Sequence, residues 1–141
     1  VKFNNYLVKA CKQLGVPIVA GTDAGTSSVV PGFTMHDELE LFVAAGLTPQ
    51  EALASATRLS ANWLGIESMV GTIEKDKLAD MILLEANPFD NIKNTRTISG
   101  VFINGKYIDK QKIDTALSEL AKWNNANRDK YDWKTLMNKQ K

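Results

Sequence analysis

The sequence predicts an α/β fold, and three of its features carry that prediction. The opening residues have apolar side chains at helical spacing, and after Gly15 the apolar run VPIVAG covers residues 16–21. Such a continuous run is typical of a strand that is covered on both faces of a parallel sheet. A loop rich in Gly, Ser and Thr follows this strand, with further helical patterns after the loop. Near Val70 the pattern changes to short strands and turns, and a helical pattern returns at residue 110.

The first two helices are predicted from their apolar spacing and their end signals. The first should end at Leu14, because Gly15 follows as a common C-terminal stop. The second is predicted over TMHDELELFVAAG, where Thr34 is the candidate N-cap and Asp37 stands three residues later, as in a capping box. Gly46 should close this helix.

A third helix is predicted as one continuous element over LTPQEALASATRLSANWLG. Thr48 is its expected N-cap, Pro49 occupies the first helical position and Glu51 the third. Gly65 is the expected stop. The apolar side of this helix should consist of Leu53, Ala56, Leu59, Trp63 and Leu64.

A small β unit is predicted over residues 70–109. A charged turn at residues 74–77 separates two strand candidates, of which MILLE is the clearer. Asn104 and Gly105, flanked by apolar residues, indicate a hairpin turn because both tolerate a positive φ. The residues after 109 return to a helical pattern, with an apolar stripe of Ile113, Leu117, Leu120 and Trp123.

Composition excludes several classes of function. Seventeen basic and sixteen acidic residues leave a formal net charge of +1, which makes no electrostatic case for nucleic acid binding. No run of 18 apolar residues occurs, so we expect no membrane span. The single cysteine, Cys11, excludes an internal disulfide framework. Because the chain begins with Val inside a helical pattern, we expect it to be a piece of a longer polypeptide.

Asp23 is the first candidate for chemistry, since it stands at the carboxyl end of the predicted buried strand, where α/β folds place ligand sites. A carboxylate there can bind a metal ion, act as a general base or hold a substrate amine, although an Asp after a strand often only caps a turn. His36, the only histidine, could face the same pocket, but a lone His is more often structural. No HxH, HExxH or CxxC motif accompanies it.

Four blocks in order then resemble a known family. GVPIVAGTDAG, PGFTMHDELELFVAAGLTPQEALASATRLSANWLG, GTIEKDKLADMILLEANP and FINGKYI look like the C-terminal part of the metal-dependent amidohydrolase superfamily, over residues 15–108. The imidazolonepropionase and Xaa-Pro dipeptidase-like members are the most similar subgroup.

This resemblance implies a C-terminal fragment of a (β/α)8 barrel joined to the C-terminal part of a composite β-sandwich, with terminal helices. Residues 1–69 would be the last helix-strand-helix portion of the barrel. Residues 70–109 would belong to the sandwich, and residues 110–141 would form a C-terminal helical segment.

The resemblance also implies hydrolysis of a C–N bond in a small-molecule amide or a dipeptide, by water activated on one or two divalent metal ions, zinc being the expected metal. Asp23 matches the family's last-strand aspartate, which binds metal and shuttles a proton. His36 and Thr26 are candidate substrate contacts. The family's other ligands lie on earlier strands that this chain lacks, so we expect the isolated chain to be inactive.

The alternative is a non-catalytic assembly or binding module that keeps the amidohydrolase fold. In either case one barrel strand and half a sandwich leave open edges and apolar faces. The expected partners are therefore the remainder of the parent chain or further copies of this chain. The compartment is left open: the resemblance slightly favours a cytoplasmic location, since many members of this family are cytoplasmic and some are exported.

Overall fold

The structure is a computed structural model that describes residues 2–26 and 29–131, and within these residues the fold is α/β. Five α-helices, three strands and two 3₁₀ helices are formed in this part of the chain. The α-helices are α1 Lys2–Gln13, α2 Thr34–Ala44, α3 Pro49–Ser55, α4 Arg58–Leu64 and α5 Lys110–Ala126. The strands are β1 Met81–Leu84, β2 Ile98–Ile103 and β3 Lys106–Asp109, and the 3₁₀ helices are Ile92–Arg96 and Arg128–Tyr131.

The three strands form one antiparallel sheet in the order β1-β2-β3. Asn104 and Gly105 join β2 to β3 with φ angles of 50° and 75°, which confirms the predicted hairpin turn. An oxygen of the Asp80 carboxylate accepts a hydrogen bond from the backbone N–H of Asn104 at 2.6 Å, so the residue before β1 fastens the turn. Phe102 and Tyr107 pair across the hairpin with ring centroids 5.0 Å apart.

The core is small and lies between α2, α3 and the Ile92–Arg96 helix. Leu39, Ala52 and Ile92 are its buried members. The partly buried side chains that pack against them are Phe42, Val43, Leu53 and Ala56. This cluster fixes α2, which carries His36 and Glu38, against its two neighbours.

The start of α3 forms as predicted. The Thr48 hydroxyl accepts a hydrogen bond from the backbone N–H of Glu51 at 3.2 Å, and the Glu51 carboxylate accepts one from the N–H of Thr48 at 2.6 Å. Lys12 of α1 pairs with the same carboxylate at 2.8 Å. Lys12 and the hydrogen bonds from Thr48 together lower the pKa of Glu51.

The predicted cap of α2 is wrong. Phe33 occupies the N-cap position, and Thr34 is the first helical residue. The Thr34 hydroxyl donates a hydrogen bond backwards to the carbonyl of Val30 at 3.0 Å, so it does not accept from the helix. Asp37 likewise takes a distant partner, because it pairs with Arg96.

The single helix predicted over residues 47–65 is divided at Ala56 and Thr57 into α3 and α4. The Thr57 hydroxyl donates to the carbonyl of Leu53 at 2.7 Å where the first helix stops. In α4 the predicted apolar side holds only for Leu59, which is half-buried. Trp63 is 75% exposed, and Ala61 is buried instead.

Two predicted strands are absent from the described residues. Residues 16–21 pair with no described strand, and residues 70–73 bend around Gly71. A strand is assigned only when a neighbouring strand accepts and donates its hydrogen bonds, and a parallel partner for residues 16–21 would lie elsewhere in sequence. The backbone N–H of Ala20 instead bonds the carbonyl of Ser55 at 3.0 Å.

The chain leaves much apolar surface open. Among the described residues, Leu14, Trp63 and Ile73 are 79%, 75% and 84% exposed. The predicted stripe on α5 exists but is uncovered, with Leu120 54% and Trp123 53% exposed. No helix among the described residues is long and apolar enough to cross a membrane. Of the predicted helical segment 110–141, residues 132–141 lie outside the described part.

Candidate functional site

Asp23 sits on a tight turn just after residues 16–21, where the sequence predicted a strand. Its φ of 52° is in the left-handed region, which Asp tolerates better than most residues. The Asp23 carbonyl accepts hydrogen bonds from the hydroxyl of Thr26 at 3.1 Å and from the N–H of Thr26 at 3.3 Å. The side chain is exposed, and its carboxylate makes no hydrogen bond or ion pair with any other described residue. The turn therefore presents an unpaired carboxylate to solvent.

Two helices hold the backbone just before this turn. Ala20 donates its N–H to the carbonyl of Ser55 at the end of α3. Gly21 donates its N–H to an oxygen of the Glu38 carboxylate on α2 at 2.9 Å. The Ser55 carbonyl also accepts from the hydroxyl of Ser60 at 2.6 Å, so the anchoring atom is itself fixed. The approach to Asp23 is thus secured without a neighbouring strand.

His36 is on α2, but its hydrogen bond goes to the Ile92–Arg96 helix. Its Nδ1 is 3.0 Å from the hydroxyl of Thr95, whose single proton is donated to the carbonyl of Ile92 at 2.9 Å. The Thr95 oxygen must therefore accept, which assigns the proton of a neutral imidazole to Nδ1. The ring thus fastens α2 to the Ile92–Arg96 helix.

Burial is the main influence on the pKa of the His36 imidazole. Burial lowers the pKa of His36 below its usual 6.5, and the nearby Arg96 guanidinium lowers it further, against the opposing effect of Asp37 and Glu40. Arg96 pairs with both of those carboxylates, at 2.5 Å to Asp37 and 2.9 Å to Glu40. The two pairs raise the pKa of Arg96 and join α2 to the sheet side of the fold.

The structure does not bring the predicted site residues together as one cluster. His36 bonds Thr95, and Thr26 bonds the backbone of Asp23, so neither side chain is hydrogen-bonded to the Asp23 carboxylate. The described residues contain no group of three His, Cys, Asp or Glu side chains that could hold a metal ion. The substrate contacts predicted for His36 and Thr26 stay predictions.

Sequence reasoning missed Glu38. It lies 17 residues from Gly21, so no local pattern could reveal their hydrogen bond. One signal was present: the stretch HDELE places three carboxylates in five residues, more than a helix start needs. Two of them, Asp37 and Glu40, serve Arg96, and the third serves the Asp23 turn.

Comparison with known proteins identifies the family. The amidohydrolase family model matches residues 5–108. An imidazolonepropionase from Symbiobacterium thermophilum is 38% identical over 73 residues, which are 51% of this chain and 17% of that relative. A solved Xaa-Pro dipeptidase with methionine in its active site aligns at a TM-score of 0.67 and 31% identity, covering 74% of this chain and 25% of that one. A solved molinate hydrolase aligns at 0.67 and 27%, covering 72% and 25%.

The chain belongs to the amidohydrolase family, as its sequence motifs predicted. It spans 17% of the length of that imidazolonepropionase and a quarter of each of the two solved enzymes.

Proposed function

We propose that this chain supplies the last-strand aspartate, Asp23, to a metal-dependent amidohydrolase that cleaves C–N bonds. The observation that carries the proposal is the unpaired, exposed Asp23 carboxylate on an anchored turn, in a chain of this family. In an Asp that only capped its own turn, the carboxylate would accept hydrogen bonds from nearby backbone N–H groups. In this turn the Asp23 backbone carbonyl takes that part, and the side chain is left available.

The donor chemistry fits one ligand of a shared metal site. A carboxylate oxygen suits a divalent ion such as zinc, and members of this family are generally metal-dependent. When bound, the ion supplies Lewis acidity that makes water a stronger nucleophile at neutral pH. One or two ions would need further ligands beyond the described residues, which offer only Asp23 at this turn.

Asp23 itself would move the proton. Its carboxylate accepts a proton from the attacking water and returns it to the nitrogen that leaves the cleaved amide. This role requires a main chain that places the carboxylate reproducibly, and the bonds of Ala20 and Gly21 to two different helices hold the backbone just before Asp23. We propose small-molecule amides or dipeptides as substrates, since the relatives include an imidazolonepropionase and a Xaa-Pro dipeptidase, with His36 and Thr26 as substrate contacts.

The proposed architecture assigns residues 1–69 to the end of a (β/α)8 barrel, 70–109 to a composite β-sandwich and 110–141 to a C-terminal helical segment. The unpaired segment at residues 16–21 supports this, because it has the composition of a barrel strand and lacks strand neighbours in the described part. An apolar groove of about 710 Å³ between α4 and the sheet, lined by Leu64, Ile73 and Met81 among others, supports packing against the remaining chain or a second copy.

The test is Asp23→Asn in the full-length polypeptide that contains this chain. We expect turnover of an amide or dipeptide substrate to fall by about 10²–10⁴-fold, the usual worth of a positioned acid–base group. Asp76→Asn is the matched control, since Asp76 is also an exposed aspartate with positive φ, at 68°. Turnover by Asp23→Asn at the rate of Asp76→Asn would refute the proposal.

The alternative is a non-catalytic module, and the observation that favours it is that the described residues offer one metal ligand at the turn. Metal analysis of the full-length polypeptide separates the two. Stoichiometric zinc that is lost in Asp23→Asn and kept in Asp76→Asn supports the enzyme. A metal-free polypeptide that still assembles supports the module.

A further inference from the structure

Glu38 makes a contact that its own helix does not require. It lies in the middle of α2, and Oε1 of its carboxylate accepts the N–H of Gly21 at 2.9 Å. Its other oxygen, Oε2, is buried and has no hydrogen-bond partner among the described residues. A carboxylate oxygen withdrawn from water without a partner is costly, and such groups are retained where they serve a purpose.

We propose that Glu38 is a positioning residue that sets the orientation of Asp23 through the Gly21 N–H. This inference rests on the proposed function of Asp23. Gly21 is two residues before Asp23, and the preceding N–H, of Ala20, is held by Ser55 at the end of α3. Two successive backbone groups are therefore tied to two separate helices, and the left-handed turn at Asp23 starts from this fixed point.

The residue type suits the task. A hydrogen bond from an N–H to a carboxylate is shorter and stronger than one to a neutral carbonyl. Gly21 lacks a strand neighbour in the described residues, so the carboxylate takes the place of the strand carbonyl that would otherwise accept its N–H. The two other carboxylates of this turn of α2, on Asp37 and Glu40, are both engaged by Arg96. Glu38 is thus the member of the group that serves the Asp23 turn.

The experiment compares Glu38→Ala with Glu38→Gln in the full-length polypeptide. The first removes the acceptor, whereas the second keeps an amide oxygen that can accept from Gly21. We expect amide hydrogen exchange in peptides covering residues 18–25 to speed up about 10- to 100-fold in Glu38→Ala, and about threefold or less in Glu38→Gln. Exchange is measured without substrate, so it reads the turn independently of turnover.

Turnover should follow the same order. We expect kcat to fall about 10- to 100-fold in Glu38→Ala with KM little changed, the usual cost of losing a group that orients a metal ligand. Glu38→Gln should recover most of that loss. If Glu38→Ala does not fold, Glu38→Asp replaces it, because its carboxylate is one methylene too short to reach Gly21 and exchange should again accelerate.

Two controls separate positioning from general weakening. Glu40→Ala removes a carboxylate that pairs with Arg96 from the same turn of α2, and this carboxylate makes no hydrogen bond to residues 20–23. Thr48→Ala loses the α3 cap and so weakens the fold without contacting residues 20–23. Both should leave exchange at residues 18–25 and kcat near wild type.

The inference is overturned if Glu38→Ala leaves exchange at residues 18–25 unchanged, whether or not kcat falls, because a loss of turnover without faster exchange would not come from the turn. Equal kcat loss in Thr48→Ala and Glu38→Ala would also overturn it, since stability alone would then explain the effect. Full activity of Asp23→Asn would instead refute the proposed function, and the exchange result would still report whether Glu38 holds the turn.

Discussion

Gly71 is the position where one added methyl group should cost the fold most clearly. Its φ is +95°, which L side chains rarely adopt, and a Cβ atom placed there would lie 2.6 Å from Cβ of Ala61. The same atom would be 3.1 Å from Cα of Arg58 and 3.3 Å from the carbonyl oxygen of Thr57. Ala61 is only 4% exposed, so neither it nor the helix backbone can move aside easily.

The magnitude has two parts. The backbone conformation costs a non-glycine residue about 1–2 kcal/mol, and forcing a methyl group into a packed site costs about 1–3 kcal/mol. Gly71→Ala should therefore lower the free energy of unfolding by about 2–5 kcal/mol. Gly46→Ala isolates the first part, because Gly46 has a φ of +112° but no atom within 4 Å of an added Cβ.

The assay is equilibrium urea unfolding followed by circular dichroism. Gly71→Ala should unfold at lower urea than Gly46→Ala, with a difference in unfolding free energy of about 1–3 kcal/mol. Combining Gly71→Ala with Ala61→Gly removes the closest contact, and the double-mutant cycle should show a favourable coupling of at least about 0.5 kcal/mol. Equal unfolding free energies for Gly71→Ala and Gly46→Ala, or a zero coupling, would refute the steric reasoning.

Two further outcomes follow from the α2 contacts. His36 has a lowered pKa when folded and 6.5 when unfolded, so the unfolded chain binds the proton first as the pH falls. The contribution of His36 to the free energy of unfolding should be complete above pH 6.5 and should be lost as the pH falls through the lowered pKa. The Asn side chain of His36→Asn can still donate to Thr95 but does not titrate. This variant should therefore remove the pH dependence that His36 adds to urea unfolding between pH 7 and 5. Ile92→Ala should cost about 2–5 kcal/mol, because Ile92 is 5% exposed in the core, whereas Leu120→Ala on the uncovered face of α5 should cost under about 1 kcal/mol; a reversed order by thermal unfolding would contradict the assigned core.

Local signals predicted the parts of the fold that are made locally. The Thr48 capping box and the turn at Asn104 and Gly105 each depend on residues within four positions, and both formed as expected. The same patterns misled at Thr34, whose hydroxyl bonds the preceding turn at Val30. The side chain of a Ser, Thr or Asp can hydrogen-bond the backbone that precedes it or the backbone that follows it, and the sequence alone does not say which.

Contacts between distant residues were beyond reach. The hydrogen bond of Asp80 spans 24 residues to Asn104, and that of Glu38 spans 17 residues to Gly21. The strand predicted at residues 16–21 failed as an assigned strand for the same reason, because its pairing partners are not its neighbours in sequence. For the site, the sequence predicted Asp23 from its position after an apolar run. It did not predict that the Glu38 carboxylate would anchor the turn.

The arrangement of α2 bears on how this chain can be recombined with its relatives. Within one and a half turns of α2, His36 and Asp37 bind Thr95 and Arg96, which precede β2. Glu38 binds Gly21, which precedes the Asp23 turn. A chimera that exchanged the sheet segment alone would bring foreign partners to Asp37 and Glu40, and α2 would have to shift to meet them. A change in the tilt of α2 would move Glu38 and, through Gly21, the Asp23 turn. Crossovers between homologous sequences should therefore keep residues 20–96 from a single parent.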